Sequence, residues 1–175
     1  MEKGKLLEYI APCALLCYSC PSYGKGPVSE AARKLYRYWQ GYDVFRGMYL
    51  PENQREAWYK EFATFTGTLQ FLGGASCPGC RNNPPSEKDG WGCVDGCVIP
   101  ACAKEHGVEF GAECSELPCE KAETFFVSTN HCCTGEEWKK RTLEMRKVGA
   151  ETYFEENKEV SHYIGLQKGS ESSEK

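Results

Sequence analysis

Residues 13–20 read CALLCYSC, three thiols at Cys13, Cys17 and Cys20. Three thiolates nearly fill the shell of a tetrahedral zinc or an iron–sulfur cluster, so the fold must bring at least one further ligand to them. The next cysteines in the chain are far off, in SCPGC at residues 76–80. What lies between decides how the two meet. Residues 29–73 hold no cysteine and carry helical periodicity. Ser29 reads as the cap of a helix on which Leu35, Trp39 and Tyr42 share a face. A loop is expected around Gly47–Leu50, and Pro51 and Glu52 then suit a first helical turn. Trp58, Phe62, Phe65, Leu69 and Leu72 form the second apolar stripe, which Gly73 and Gly74 end. Helices of about 15 and 21 residues would run roughly 22 and 31 Å. Joined by a short loop they form an antiparallel helical hairpin, whose aromatic residues read as core.

An out-and-back excursion returns the chain near its start. It would deliver Cys77 and Cys80 to Cys17 and Cys20, giving a first tetrathiolate site with Cys13 as an alternate ligand. C-P-G-C is a knuckle: the tight turn aims both sulfurs at one ion and offers them backbone N–H groups.

Downstream, GCVDGCVIPACAKEHGVEFGAECSELPCEKAETFF contains a second set. Cys97 with Cys102, and Cys114 with Cys119, are each separated by four residues and are expected at helix entrances, where the dipole favours thiolate. They make the second proposed site, with Cys93 competing for the place of Cys97. His106 and His131 are available nitrogen ligands but read as solvated. Asp89 and Asp95 read as turn residues. The vicinal pair Cys132-Cys133 could supply one ligand and one small apolar side chain. Thr134 followed by GEEW forms a capping box for a last helix, docking through Trp138 and Met145.

The chain has 175 residues and 12 cysteines, enough for one domain with its own core. The expected class is mainly α: a small cysteine-rich, metal-stapled domain over residues 1–133 with the hairpin inserted at about 29–73. A C-terminal helical extension follows over 134–166, and QKGSESSEK (167–175) reads as a disordered tail. The formal charge is −4, from 21 Lys and Arg against 25 Asp and Glu. Each tetrathiolate zinc would add about two negative charges, and no basic stripe offsets them, so a nucleic-acid partner is not expected. The apolar run near the N-terminus is broken by Glu8 and Pro12, with no cleavage site and no stretch of about 20 apolar residues. No membrane contact is expected. A reducing cytoplasm follows, where such spacings read as metal sites rather than disulfides.

The pattern C-x₃-C-x₂-C, then C-P-G-C, then CVIPACAKEHGVEF and CSELPCEKAETF resembles a cysteine-rich prokaryotic family known as domain of unknown function 3795. The resemblance covers roughly residues 11–127 and matches Cys13, Cys17, Cys20, Cys77, Cys80, Cys97, Cys102, Cys114 and Cys119. It implies a small cytoplasmic protein that binds zinc, with no established reaction. The family often has glycine where this chain has Ala14, and a further cysteine where this chain has Gly111.

The favoured reading is a structural-zinc protein with about two ions, acting as a binding or regulatory module toward a protein or small-molecule partner. An enzymatic role is less favoured. One alternative is a metal-dependent enzyme with a reactive zinc–thiolate; another is an iron–sulfur redox protein, since the same ligands serve both metals. The triplet's spacing also coincides with the radical S-adenosylmethionine signature, but the helical residues that follow lack the alternating strands that chemistry uses.

Overall fold

The computed structural model describes residues 1–82, 97–129 and 134–161. Cys93, Asp89, Asp95, His131, Cys132, Cys133 and the tail 167–175 lie outside the described residues. Among the described residues the chain is helical with no β-strand; two isolated β-bridges, Ile10 with Leu16 and Tyr23 with Cys77, are its extended pairings. No helix among them is long and apolar enough to cross a membrane.

Helix α1 (Lys3–Tyr9) leads into a tight reversal at Ile10–Leu16. Ala11 N–H donates to the Leu15 carbonyl and Ala14 N–H to that of Ala11. This reversal is the spine of the molecule. Ala11, Cys13 and Leu15 enter one apolar cluster with Ile99, Leu117, Phe126 and Trp138. Ile10, Ala14 and Leu16 enter a second with Phe110, Met145, Tyr153 and Phe154. Neighbouring residues of the reversal thus serve opposite sides.

Ala14 has φ +61° and is fully buried. A left-handed backbone suits glycine, the residue often found here in the family resembled. Relief of about 1–2 kcal/mol of backbone cost in Ala14→Gly is offset by losing a buried methyl worth about 0.8 kcal/mol and by a freer unfolded chain. Its stability should therefore change by less than about 1 kcal/mol. Ala14→Val, β-branched in a filled left-handed site, should lose about 3 kcal/mol. Denaturant titrations of the two variants check this pair.

Helix α2 (Pro27–Trp39) begins three residues earlier than a cap at Ser29 suggests, with Gly26 at its cap and Pro27 in the first turn. Ser29 is instead fully buried, its hydroxyl within 3.0–3.1 Å of the Tyr23, Gly24 and Gly26 carbonyls. It ties the helix to the chain leaving the cysteine triplet. A Cβ at Gly26 would stand 2.7 Å from the Tyr18 carbonyl oxygen, so the approach requires glycine. The first half of the loop expected at 47–50 is helix, since α3 (Tyr42–Met48) intervenes, and Tyr49 and Leu50 form the turn before α4 (Glu52–Gly73). Contacts between α2 and α4 run in opposite chain order. Arg33 donates to the Gly73 carbonyl, Gln70 donates to the Tyr36 hydroxyl, and Trp39 stacks on Phe62 at 5.3 Å. Near α3, Tyr42 meets Trp58 edge-on.

The aromatic stripe is not the core that its spacing suggests. Leu35, Tyr42 and Phe65 are each 40–42% exposed, and Leu69 is the one buried residue of α4. Two helices alone cover only one stripe of each other; no third layer lies over them among the described residues.

Helix α5 (Ile99–Glu105) is followed by a 3₁₀ turn (Gly111–Glu113) and α6 (Glu120–Thr129). The capping box at Thr134 forms with Glu137 and starts α7 (Gly135–Val148), after which Gly149, at φ +83°, turns the chain into α8 (Ala150–Asn157). Trp138 stacks on Phe126 at 5.1 Å. Phe154 lies against Tyr9 and Tyr18, and the Tyr153 hydroxyl donates to the Ala14 carbonyl at 2.9 Å. These last helices close both clusters.

Candidate metal centre

The first thiol group forms where the chain returns from α4. Cys77 N–H donates to the Ser22 carbonyl and Gly24 N–H to the Cys77 carbonyl, both at 3.1 Å, so the two ends of the excursion are stitched together by backbone. Cys20 N–H closes a turn on the Cys17 carbonyl at 3.0 Å. In the C-P-G-C turn Gly79 has φ +89°, and a Cβ there would lie 3.9 Å from the Cys17 sulfur. The turn therefore sits directly over Cys17.

Across this seam the Cys80 thiol hydrogen-bonds the Cys17 sulfur. That bond is the main cause holding the Cys17 thiol below its ordinary pKa, against burial and the nearby Cys20, with help from Arg81. Arg81 is itself anchored. It donates to the Leu7 carbonyl at 3.0 Å and the Glu109 carbonyl at 2.5 Å, and its guanidinium lies 5.0 Å over the Phe110 ring. A fixed cation thus stands beside Cys17 and Cys80, where it favours thiolate. Burial, and then the bond it donates to Glu8, push the Tyr23 phenol well above its ordinary range. Lys25 first, then Tyr23, hold Glu8 below the usual carboxylate range. Cys13 is buried in the first apolar cluster, while Cys17 and Cys80 pack on its surface.

The second group comprises Cys102, Cys114 and Cys119, with the last two near enough to Cys102 to act on its thiol. Its placement differs from the expectation that each pair stands at a helix entrance. Cys97 precedes the α5 cap and Cys119 immediately precedes α6, but Cys102 lies inside α5 and Cys114 follows the 3₁₀ turn. Cys97 packs against the first cluster, as Cys119 does from its other neighbours. Burial first raises the Cys102 thiol, and Lys121 counters it. Lys121 also pairs with Glu105 at 3.2 Å, tying α6 to α5.

Two further side chains stand out: Arg146, and His106, which the sequence offers as a solvated nitrogen ligand and which is exposed. Arg146 of α7 donates to the Ala112 and Leu117 carbonyls at 2.7 and 3.2 Å, and to that of Cys114. It clasps the loop carrying Cys114 and leaves few of its carbonyls unsatisfied. His106, read as solvated, has Nδ1 3.7 Å from the Cys102 sulfur and 2.9 Å from the Cys102 carbonyl. The i,i+4 spacing in CAKEH was the available signal.

Among the described residues, no three Cys, His, Asp or Glu side chains converge into a ready cage for a metal ion. The donors still suit a borderline or soft cation: the first group is all sulfur, with a fixed guanidinium alongside. Cys17 and Cys80 are partly exposed, at a crevice lined also by Leu7, Glu8, Arg81 and Asn82. Comparison with curated proteins and with solved structures gives no match. The family described as protein of unknown function (DUF3795) matches residues 9–124, a span that takes in both thiol groups, and the chain belongs to that family.

Proposed function

We propose that this chain is a structural-zinc protein, a binding or regulatory module whose first ion is held by Cys17, Cys20, Cys77 and Cys80. In this reading α2 to α4 are an inserted helical hairpin, and the C-P-G-C turn is a zinc knuckle closing its base. The observation that carries it is the contact of Cys17 with Cys80 across the seam where the excursion returns. Linking the ends of a loop of roughly 60 residues removes about 4 kcal/mol of unfolded-chain entropy. An ion at that seam therefore stabilises more than one clipping a short turn. When bound, zinc supplies four strong bonds and no redox chemistry. A second ion falls to the group around Cys102, Cys114 and Cys119. A reactive zinc–thiolate would need an open coordination position, which a closed set of four thiolates does not leave.

The test is elemental analysis and an absorption spectrum of protein purified without oxygen. About two zinc ions per chain and a colourless solution are expected. Brown protein absorbing near 400 nm, with iron and sulfide, would replace this reading with the iron–sulfur one. Protein that is folded and free of metal would end it.

A further inference from the structure

The sequence pairs Cys97 with Cys102 in the second group, but Cys97 lies outside α5, before its cap, and packs against the first apolar cluster, while Cys102 lies within the helix. At about 100° per residue, Cys102 and His106, which ends the helix, differ in direction by only about 40°. Distance agrees with direction. Zinc–sulfur and zinc–nitrogen bonds of about 2.3 and 2.05 Å at a tetrahedral angle put the two ligand atoms about 3.6 Å apart. The Cys102 sulfur and His106 Nδ1 are 3.7 Å apart. The other ring nitrogen, Nε2, faces Glu116 Oε2 at 3.4 Å, on the loop between Cys114 and Cys119. A histidine that offers one nitrogen to a metal and its other N–H to a carboxylate is the usual outer-shell arrangement.

Building on the zinc reading above, we propose that the second centre is a three-sulfur, one-nitrogen site for a borderline divalent cation, made by Cys102, His106, Cys114 and Cys119. Glu116 orients the His106 ring and draws the Cys114–Cys119 loop toward it. Arg146 holds the same loop from behind through three carbonyls. On binding, His106 gives up the bond between Nδ1 and the Cys102 carbonyl, and the Cys114 and Cys119 thiolates close onto the pair already at ligand spacing. Cys97 remains with the first apolar cluster.

The experiment is cadmium-113 NMR on the full chain, labelled with nitrogen-15 and loaded with that ion. One imidazole nitrogen is expected to couple to one cadmium, with the coupling absent in His106→Gln. His106→Cys should keep the second ion without the coupling. His106→Gln should weaken that site by at least about 100-fold, and Glu116→Gln by about 10–100-fold, the range for losing an outer-shell partner. Two bound ions with no coupled imidazole would overturn the proposal while leaving the zinc reading intact, making His106 only a helix-end cap. A coupling that survives in His106→Gln would overturn it as well. Failure to bind any cadmium or zinc would remove both readings together.

Discussion

Cys17→Ser should lose one zinc ion per chain and the cooperative fold with it, whereas Cys13→Ser should retain both ions. The two thiols are one turn apart in sequence but differ in surroundings. Cys17 touches Cys80 across the seam and is flanked by Cys20 and Arg81. Serine there would remove a ligand from a centre that contributes on the order of 10 kcal/mol to folding. That is comparable to the whole stability of a domain, about 5–15 kcal/mol. Cys13 instead lies in the first apolar cluster beside Ala11 and Leu15 and is 7% exposed. A hydroxyl in that position costs about 1–3 kcal/mol, a fall in melting temperature of roughly 2–12 °C for a chain of this size. Metal content and thermal unfolding of the two purified variants decide the matter. Equal loss of metal from both would show that Cys13 is a ligand and that the first group is wrongly composed.

The second large effect concerns helices that the family match does not reach. A chain ending at residue 129 should fail to fold even with zinc supplied. It would lack Trp138, Met145, Tyr153 and Phe154, each 1–2% exposed in the intact chain. Burial of four such side chains is worth about 6–12 kcal/mol at 1.5–3 kcal/mol each. The truncation would also uncover Phe126, Tyr9 and Tyr18 and leave the Cys114 loop without its Arg146 clasp. Circular dichroism of the shortened and intact chains in the presence of zinc is the check. A cooperative transition near the intact protein's temperature would show that residues 134–161 are dispensable to the fold.

Much of this was legible in local pattern. The helices on either side of α3, the capping box at Thr134 and the burial of Trp138 and Met145 follow from spacing and caps, which act over one or two turns. Where the reading departed, the deciding contact was remote. Ser29 has the chemistry of a cap, but three carbonyls upstream claim its hydroxyl. The Trp39–Phe62 stripe has helical period, yet period cannot tell whether a further layer will cover it. Nothing in the sequence marks Arg81 or Arg146. Each becomes a clasp only because the fold presents clustered carbonyls to it. His106 is exposed, as its polar surroundings suggest, and its i,i+4 spacing from Cys102 sets the two side chains 3.7 Å apart.

The reversal at Ile10–Leu16 has a dynamic corollary. Because its alternate side chains are wedged into both apolar clusters, and because Cys17 follows it directly, the two halves of the interior share a single keel. Amide protons of α1, α6, α7 and α8 should then exchange with solvent at one common rate in the zinc-loaded protein, as one cooperative unit rather than as separate patches. The outlying pair α2 and α4, which leans on neither cluster, would breathe to its own rhythm.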